Sequence, residues 1–240
     1  MKTRKTYYAM FLGLMITCFS GFVKSQTCGL YYPMVNGYET EMTSYNANDQ
    51  LTGTTDSKIT NVATSADGTT ATIQSTVKDK KGAETSTSSC SVKCTGSSIF
   101  IDMSSYIPQQ SQNQWKNMTV KMDAGQLEIP QTLTVGMTLK DASVTVTVYN
   151  GATLFSTMKI YISNRLVASQ ESITTTMGTF NCFKITQDIK VENIVMGMTI
   201  PMNMKSAEYY AVGTGMVKSQ SFDKNGKLSG YTLLTKITKP

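Results

Sequence analysis

A run of methionines near the carboxy-terminal end of the chain has the spacing that most clearly points to a binding chemistry. The stretch from Ile194 to Met204 reads Ile-Val-Met-Gly-Met-Thr-Ile-Pro-Met-Asn-Met. Alternate side chains of a strand share one face. If the stretch is one continuous strand, that face holds Ile194, Met196, Met198, Ile200, Met202 and Met204.

Three interpretations of this methionine face are open. Adaptable methionine side chains are suited to a concave surface that takes an apolar or amphipathic ligand, and Met196, Met198, Met202 and Met204 are then the binding residues. Thioethers two residues apart, about 7 Å on a strand, are suited to soft Cu(I). The third interpretation is a core strand in which Pro201 marks an edge or a bulge.

Arg165 is a second candidate for ligand binding. It lies in the sequence Ser163-Asn164-Arg165-Leu166, and a guanidinium fork can clamp an anionic head group. The alternative is an exposed arginine in a turn.

Composition excludes several kinds of catalysis. The chain contains no histidine, so it cannot form a Ser-His-Asp triad, a Cys-His dyad or a histidine-built zinc site. A hydrolase would have to rely on carboxylates alone. Glu39 and Glu41 have the pattern of a solvated strand face, whereas Asp102 and Glu208 adjoin aromatic residues that could raise a carboxyl pKa. The sequence therefore favours a non-catalytic protein, with no cofactor and no metal.

Four cysteines follow the first 25 residues: Cys28, Cys90, Cys94 and Cys182. Cys90 and Cys94 are about 13 Å apart if they lie on one strand, which is beyond the reach of a disulfide. We therefore expect Cys28 to be bridged, to Cys94 or to Cys182. Buried free thiols are the alternative.

The first 25 residues have the pattern of a secretory signal. Lys2, Arg4 and Lys5 precede an apolar or small stretch from Ala9 to Val23, which is too short for a permanent membrane span. Cleavage is expected before Gln26. Neither Cys18 nor Cys28 follows a lipoprotein-type sequence, so the sequence predicts an exported, unlipidated protein of the periplasm or outer membrane.

Removal of the signal also lowers the net positive charge. Four of the 22 basic residues and none of the 16 acidic residues lie in the first 25, so the mature chain carries 18 basic and 16 acidic residues, a net charge of +2. A nucleic-acid-binding protein requires a basic surface with several arginines. Nucleic acid is therefore excluded as a partner, and the mature chain contains no transmembrane segment.

Period-two alternation of apolar residues dominates the mature chain and predicts antiparallel sheets with one buried face. Alternating apolar sets include Val144, Val146 and Val148; Met158, Ile160 and Ile162; and Tyr231, Leu233 and Ile237. Turn signals such as Asn150-Gly151 and Asn225-Gly226 separate the strands. Residues 104–116 interrupt the alternation and predict a short helix or loop over the sheet. No linker divides the chain, so residues 26–240 are predicted to form a single all-β domain.

One segment recurs within the chain. Residues 44–53 match residues 221–230 almost class for class, and residues 79–82 form a weaker third copy. A calcium loop of the EF-hand kind needs a carboxylate at its twelfth position, where the segment that begins at Asp223 has Leu234. Repeated use of one hairpin turn is the better interpretation.

Three segments together carry a family likeness: Cys28-Gly29-Leu30-Tyr31-Tyr32-Pro33; residues 175–185 around Asn181-Cys182-Phe183; and residues 209–218, which begin Tyr-Tyr-Ala-Val-Gly. With these segments the chain resembles the TapB-like family of exported Gram-negative proteins of unknown function. The resemblance implies an all-β, antiparallel meander that forms a strongly curved sheet or half-barrel. It brings no catalytic residues.

These observations predict an exported binding protein, a carrier of an apolar or amphipathic ligand on the concave face of a curved sheet. Two alternatives are open. One is a structural or interaction protein that contacts another envelope component, and the other is a carboxylate-based hydrolase.

Overall fold

Thirteen β-strands account for most of the residues that the structure describes. The computed structural model describes residues 28–107, 109–195 and 197–240; the predicted signal (1–25) and the predicted mature terminus at Gln26 lie outside them. The strands are β1 (Glu39–Asn46), β2 (Leu51–Ser65), β3 (Gly68–Asp79), β4 (Glu84–Thr95), β5 (Ser98–Asp102), β6 (Thr119–Ala124), β7 (Gln126–Pro130), β8 (Ala142–Asn150), β9 (Thr153–Thr175), β10 (Gly178–Val195), β11 (Met198–Ala211), β12 (Gly215–Asp223) and β13 (Leu228–Thr238).

One antiparallel sheet contains all of these strands, in the order β6-β8-β9-β10-β11-β12-β13-β1-β2-β3-β4-β5-β7. The two edge strands, β6 and β7, are consecutive in the chain, and the sheet curves until it nearly closes on itself. The prediction of an all-β meander with a strongly curved, half-barrel sheet is therefore confirmed. The prediction of a single domain over residues 26–240 stays a prediction.

The alternating sequences form the buried inner face of the curve. Val144, Val146 and Val148 of β8 are buried, as are Met158, Ile160 and Ile162 of β9. Direct pairing of Val144 with Ile160 and of Val146 with Met158 keeps both sets on the same face. We call this the inner face of the sheet.

Residues 103–118 cross the inner face and are named here the covering segment. It contains a 3₁₀ turn at Met103–Tyr106 and a short helix, α1, at Gln109–Gln114, which confirms the prediction of a short helix or loop over the sheet. The Asp102 carboxylate caps the turn by accepting a hydrogen bond from the Ser104 amide at 2.8 Å. Met103, Ile107 and Trp115 are buried against the inner face. No helix in the described residues has the length and apolar character needed to cross a bilayer.

The repeated segment forms the same turn three times. In each copy one side-chain oxygen of Asn46, Asp79 or Asp223 accepts hydrogen bonds from the amides two and four residues later, at 2.8–3.0 Å. Because this oxygen already accepts hydrogen bonds from backbone amides, the side chains at these positions stabilise the turn. The recurrence reflects a shared hairpin geometry.

Candidate ligand-binding site

The methionine run forms the hairpin between β10 and β11 and is not one continuous strand. Val195 pairs with Met198 across a two-residue turn that contains Gly197 at φ 79°, a left-handed conformation that favours glycine. The chain reverses there, so Ile194 lies on the opposite face from Met198. The prediction that Ile194 shares a face with the methionines is therefore wrong. Met196 lies outside the described residues.

Four side chains of β11 lie on the inner face. Met198, Ile200, Met202 and Met204 pair with Val195, Asn193, Val191 and Ile189 of β10. These four residues of β10 pair in turn with Ser156, Met158, Ile160 and Ile162 of β9. Paired residues of antiparallel strands point to the same side, so the β11 side chains continue the row that begins in the core.

Exposure rises sharply at the end of that row. Met198 is 67% exposed, Ile200 60% and Met202 49%, whereas Val191, on the adjacent strand, is buried. The core-strand interpretation of the methionine run is therefore wrong for these three residues. The covering segment lies against β4, β6 and β8, and the exposed inner-face side chains of β11 lie beyond it.

The opposite margin of the inner face is also apolar and exposed. Val120 and Met122 of β6 pair with Val148 and Val146 of β8, and both are exposed. We name the exposed inner-face residues the apolar margins: Val120, Met122, Met198, Ile200 and Met202. The sequence analysis missed Val120 and Met122. Their alternation with Thr119, Lys121 and Asp123 predicts a strand, but it does not reveal that the strand pairs with β8.

A cleft of about 650 Å³ lies where the sheet fails to close. It runs between β4 and the covering segment, and its lining includes Ser86, Ser88, Ser105, Tyr106 and Met122. Serine and tyrosine hydroxyl groups therefore lie beside an apolar margin, because Met122 belongs both to the lining of this cleft and to the apolar margins.

Arg165 is buried rather than exposed, because a β-bulge turns it inward. Asn164 adopts φ 53°, and the register of β9 against β10 shifts at this point. The side chain of Arg165 is only 1% exposed. Its Nη1 donates to the carbonyls of Lys140 (2.7 Å) and Glu128 (2.9 Å), and its Nε donates to Gln187 Oε1 at 3.2 Å. The interpretation of Arg165 as an exposed turn residue is therefore wrong.

Glu208 completes a buried polar network with Arg165. Gln187 Nε2 donates to one oxygen of Glu208 at 3.2 Å, and the Tyr210 hydroxyl donates to the other at 2.8 Å. Burial raises the pKa of Glu208, and the Tyr210 hydrogen bond and the Arg165 charge oppose that rise. Burial also lowers the pKa of Arg165. Gln187 thus links Arg165 to Glu208 through hydrogen bonds. The two opposite charges make no direct ion pair.

Ser206 lies on the inner face between Met204 and Glu208. Its Oγ is the one buried side-chain oxygen or nitrogen in the described residues that has no hydrogen-bond partner. The apolar row of β11 therefore leads inward to polar groups.

The structure joins Cys28 to Cys94 in a disulfide with Cα atoms 5.7 Å apart. This bond fixes residues 28–34 against the core, where the Leu30 carbonyl accepts from the Gly213 amide at 2.7 Å and Tyr31 packs edge-on against Phe183. Cys182 is buried and unbridged, in a separate cluster with Tyr209 and Val217.

The carboxylates that a hydrolase would use each have a structural partner. Glu39 pairs with Lys58 at 2.7 Å, and Glu41 accepts from Thr235 Oγ1 at 2.7 Å. Asp102 caps the 3₁₀ turn, and Glu208 belongs to the buried network. Within the described residues no group of three His, Cys, Asp or Glu side chains could hold a metal ion. Cu(I) binding by the exposed thioethers stays a prediction.

Comparison with known proteins identifies relatives of the fold. The DUF3108-like family model matches residues 35–234. A solved structure from Parabacteroides distasonis, assigned as a lipoprotein, superposes with a TM-score of 0.70 at 20% identity and covers 88% of this chain and 99% of its own. A solved structure from Bacteroides fragilis, assigned as an exported protein with a YmcC-like fold, gives 0.68 at 18% identity and covers 88% of this chain and 100% of its own.

No curated protein sequence matches this chain. The TapB-like resemblance is a narrower statement than the family match and stays a prediction. Since one structural relative is assigned as a lipoprotein, the unlipidated N-terminus is a prediction without support from these comparisons.

Proposed function

Since the chain belongs to the DUF3108-like family, we propose that it is an exported, non-catalytic protein that binds the apolar part of an amphipathic ligand on the inner face of strands β8–β11. Export is the assigned property of a structural relative and the expectation from the signal sequence. The ligand is proposed from the side chains of this chain alone.

One observation carries the proposal. Met198, Ile200 and Met202 lie in register with the buried inner face yet are about half to two-thirds exposed. Isolated exposed apolar residues are common on protein surfaces, whereas a contiguous exposed apolar surface is typical of a binding site. The two margins flank a concave surface whose centre is already covered by residues 103–118.

The chemistry of the site is suited to an acyl chain or a similar flexible apolar group. Methionine adapts its shape to the group that it contacts. Each apolar side chain that is fully removed from water contributes about 1.5–3 kcal/mol, so three partly exposed side chains are enough to supply a substantial part of a micromolar affinity. Serine hydroxyls beside Met122 are available to a polar end of the ligand.

Replacement of Met198 and Met202 by glutamine should weaken the binding of a dansyl-labelled fatty acid without unfolding the protein. Both side chains are exposed, so the polar amides meet water and the melting temperature should stay close to that of the wild type. The loss of transfer free energy, about 1.5 kcal/mol for each residue, predicts an affinity about 100-fold lower. Fluorescence titration measures the affinity.

A matched control changes Met177 and Val212 to glutamine. Both are exposed, but they lie in turns at the other ends of β10 and β11, and their replacement should leave probe binding unchanged. Wild-type protein that does not bind the probe, or equal losses in the two double variants, would contradict the proposal. Tight Cu(I) binding that the Met198 and Met202 variant loses would instead support the copper interpretation.

A protein partner on the same margins is the alternative function. A carrier binds a small ligand, whereas an interaction protein binds a macromolecule. A carrier takes up the isolated fatty-acid probe, and an interaction protein does not.

A further inference from the structure

Two adjacent hairpins form one end of the sheet. On one side β6 reaches the same level, since Thr119 pairs with Tyr149, and on the other side β12 ends short of it. The β12 strand ends at Asp223, opposite Met204, and β11 continues for six residues beyond that point to Met198. At about 3.3 Å per residue, the β10–β11 hairpin extends roughly 20 Å past its neighbour. The β8–β9 hairpin lies beside it, because Ser156 of β9 pairs with Val195 of β10.

The projecting ends carry no charged residues. Residues 142–158 and residues 193–204 contain no Asp, Glu, Lys or Arg. At the β8–β9 tip, Leu154 is 56% exposed and Phe155 is 39% exposed. In β11, the residues from Met198 to Asn203 are exposed on both faces of the strand.

Lysines follow the uncharged stretches of both hairpins, and Lys121 of the neighbouring strand β6 lies at the level of the tips, since it pairs with Thr147. Lys159, Lys190 and Lys205 are the first basic residues on β9, β10 and β11, and Lys190 pairs with Glu192 at 2.6 Å. In the described residues Lys159 and Lys205 make no ion pair. Half-buried Tyr161 pairs with Lys190, and half-buried Tyr149 pairs with Leu154 at the β8–β9 tip. Apolar tips followed by tyrosine and lysine are typical of segments that lie in a membrane interface.

We propose that the tips of the β8–β9 and β10–β11 hairpins dock this protein on a lipid surface, with Leu154, Phe155 and Met198 in the acyl boundary and the lysines against anionic head groups. Phe155 precedes Lys159 by four residues, about 13 Å of strand. That length accommodates the 5–10 Å penetration that is usual for interfacial segments. Met198 belongs both to the docking tips and to the apolar margins. Leu154 and Phe155 do not belong to the apolar margins, so their replacement tests docking separately from the ligand site.

The insertion is shallow. The edge of β11 from residue 198 to residue 203 is not paired with β12, and unpaired backbone groups are costly in the hydrocarbon core. Pro201 has no N–H and so removes one donor from this edge. At the depth of the lipid head groups, water still reaches the backbone and forms hydrogen bonds with the remaining unpaired N–H and C=O groups of this edge.

Flotation with vesicles of phosphatidylethanolamine and phosphatidylglycerol tests the proposal. The wild type should float with the vesicles, and a Leu154→Gln, Phe155→Gln variant should bind about 100-fold more weakly, since each side chain contributes about tenfold. A control variant, Val135→Gln with Val212→Gln, changes two valines that are equally exposed and lie away from the tips; it should bind as the wild type does. Vesicles of phosphatidylcholine alone should bind severalfold more weakly.

Wild-type protein that stays with the soluble fraction, or a Leu154 and Phe155 variant that floats like the wild type, would overturn the proposal. The fatty-acid titration separates this result from the ligand site. The Leu154 and Phe155 variant should keep the probe affinity of the wild type, so loss of vesicle binding with intact probe binding supports both proposals. Vesicle binding by a wild type that binds no probe supports docking and contradicts only the ligand proposal.

Discussion

Replacing Arg165 by methionine should lower the free energy of unfolding by about 3–5 kcal/mol at neutral pH, the usual cost of removing one partner from a buried polar network. The substitution leaves the carbonyls of Glu128 and Lys140 and the side-chain oxygen of Gln187 without their donor. Each buried acceptor that loses its partner costs about 1–3 kcal/mol. Methionine retains most of the volume, so the loss reports the polar contacts rather than a cavity.

The loss should depend on pH in a defined direction. Burial already raises the pKa of Glu208, and the Arg165 charge opposes that rise; removal of the charge raises the pKa further. A carboxyl whose pKa is higher in the folded state binds more protons there, so stability falls as pH rises from the unfolded value, about 4.3, through the folded value. The Arg165→Met variant should therefore be least destabilised at acidic pH and most destabilised above the folded pKa of Glu208.

Urea unfolding followed by tryptophan fluorescence measures both effects, because Trp115 is the only tryptophan and is buried in the covering segment. Lys140→Met is the matched control. Its ammonium pairs with Glu128 at 2.8 Å but is 81% exposed, so the variant should lose at most about 1 kcal/mol. Equal losses in the two variants, or a pH-independent loss for Arg165→Met, would count against the buried network.

Replacing Cys28 by serine should cost about 4 kcal/mol. The bridge to Cys94 closes a loop across a sequence separation of 66 residues, and the chain-entropy model assigns this stabilisation to a loop of that length. For a protein of this size, the melting temperature should fall by about 8–16 °C. Differential scanning calorimetry of the oxidised wild type and the variant provides the comparison.

Cys90→Ser controls for loss of a thiol, since Cys90 is partly buried and unbridged. It should change the melting temperature by much less. Reduction of the wild type should reproduce the Cys28→Ser value. A Cys28→Ser variant as stable as the oxidised wild type would show that the bridge does not constrain the unfolded chain as proposed.

Local alternation in the sequence was enough to predict the strands and their buried faces. Val144, Val146 and Val148 alternate with threonine and serine, and all three valines are buried. The break in alternation at residues 104–116 predicted the covering segment for the same reason. Both features depend on neighbours in the chain, which the sequence displays directly.

Features that depend on bulges, reversals and long-range pairing could not be predicted. The bulge at Asn164 turns Arg165 inward, and the turn at Gly197 divides the methionine run. The extra residue Thr235 shifts the register of β13 against β1 and places Ile237 on the face of Leu234 rather than that of Leu233; Leu234, not Leu233, is fully buried. One inserted residue reverses every later side chain of a strand. The pairing of β6 with β8, which creates the second apolar margin, has no local signal.

The most direct test of the proposed ligand site is photo-crosslinking with a fatty acid that carries a diazirine in its acyl chain, followed by peptide mass mapping. The account predicts labelling of Met198, Ile200 and Met202 on β11, and of Val120 and Met122 on β6. An excess of unlabelled fatty acid should suppress the labelling. Labels on Thr199, Asn203 and other outer-face residues at equal yield, or labelling that unlabelled fatty acid does not suppress, would contradict a specific apolar site on the inner face.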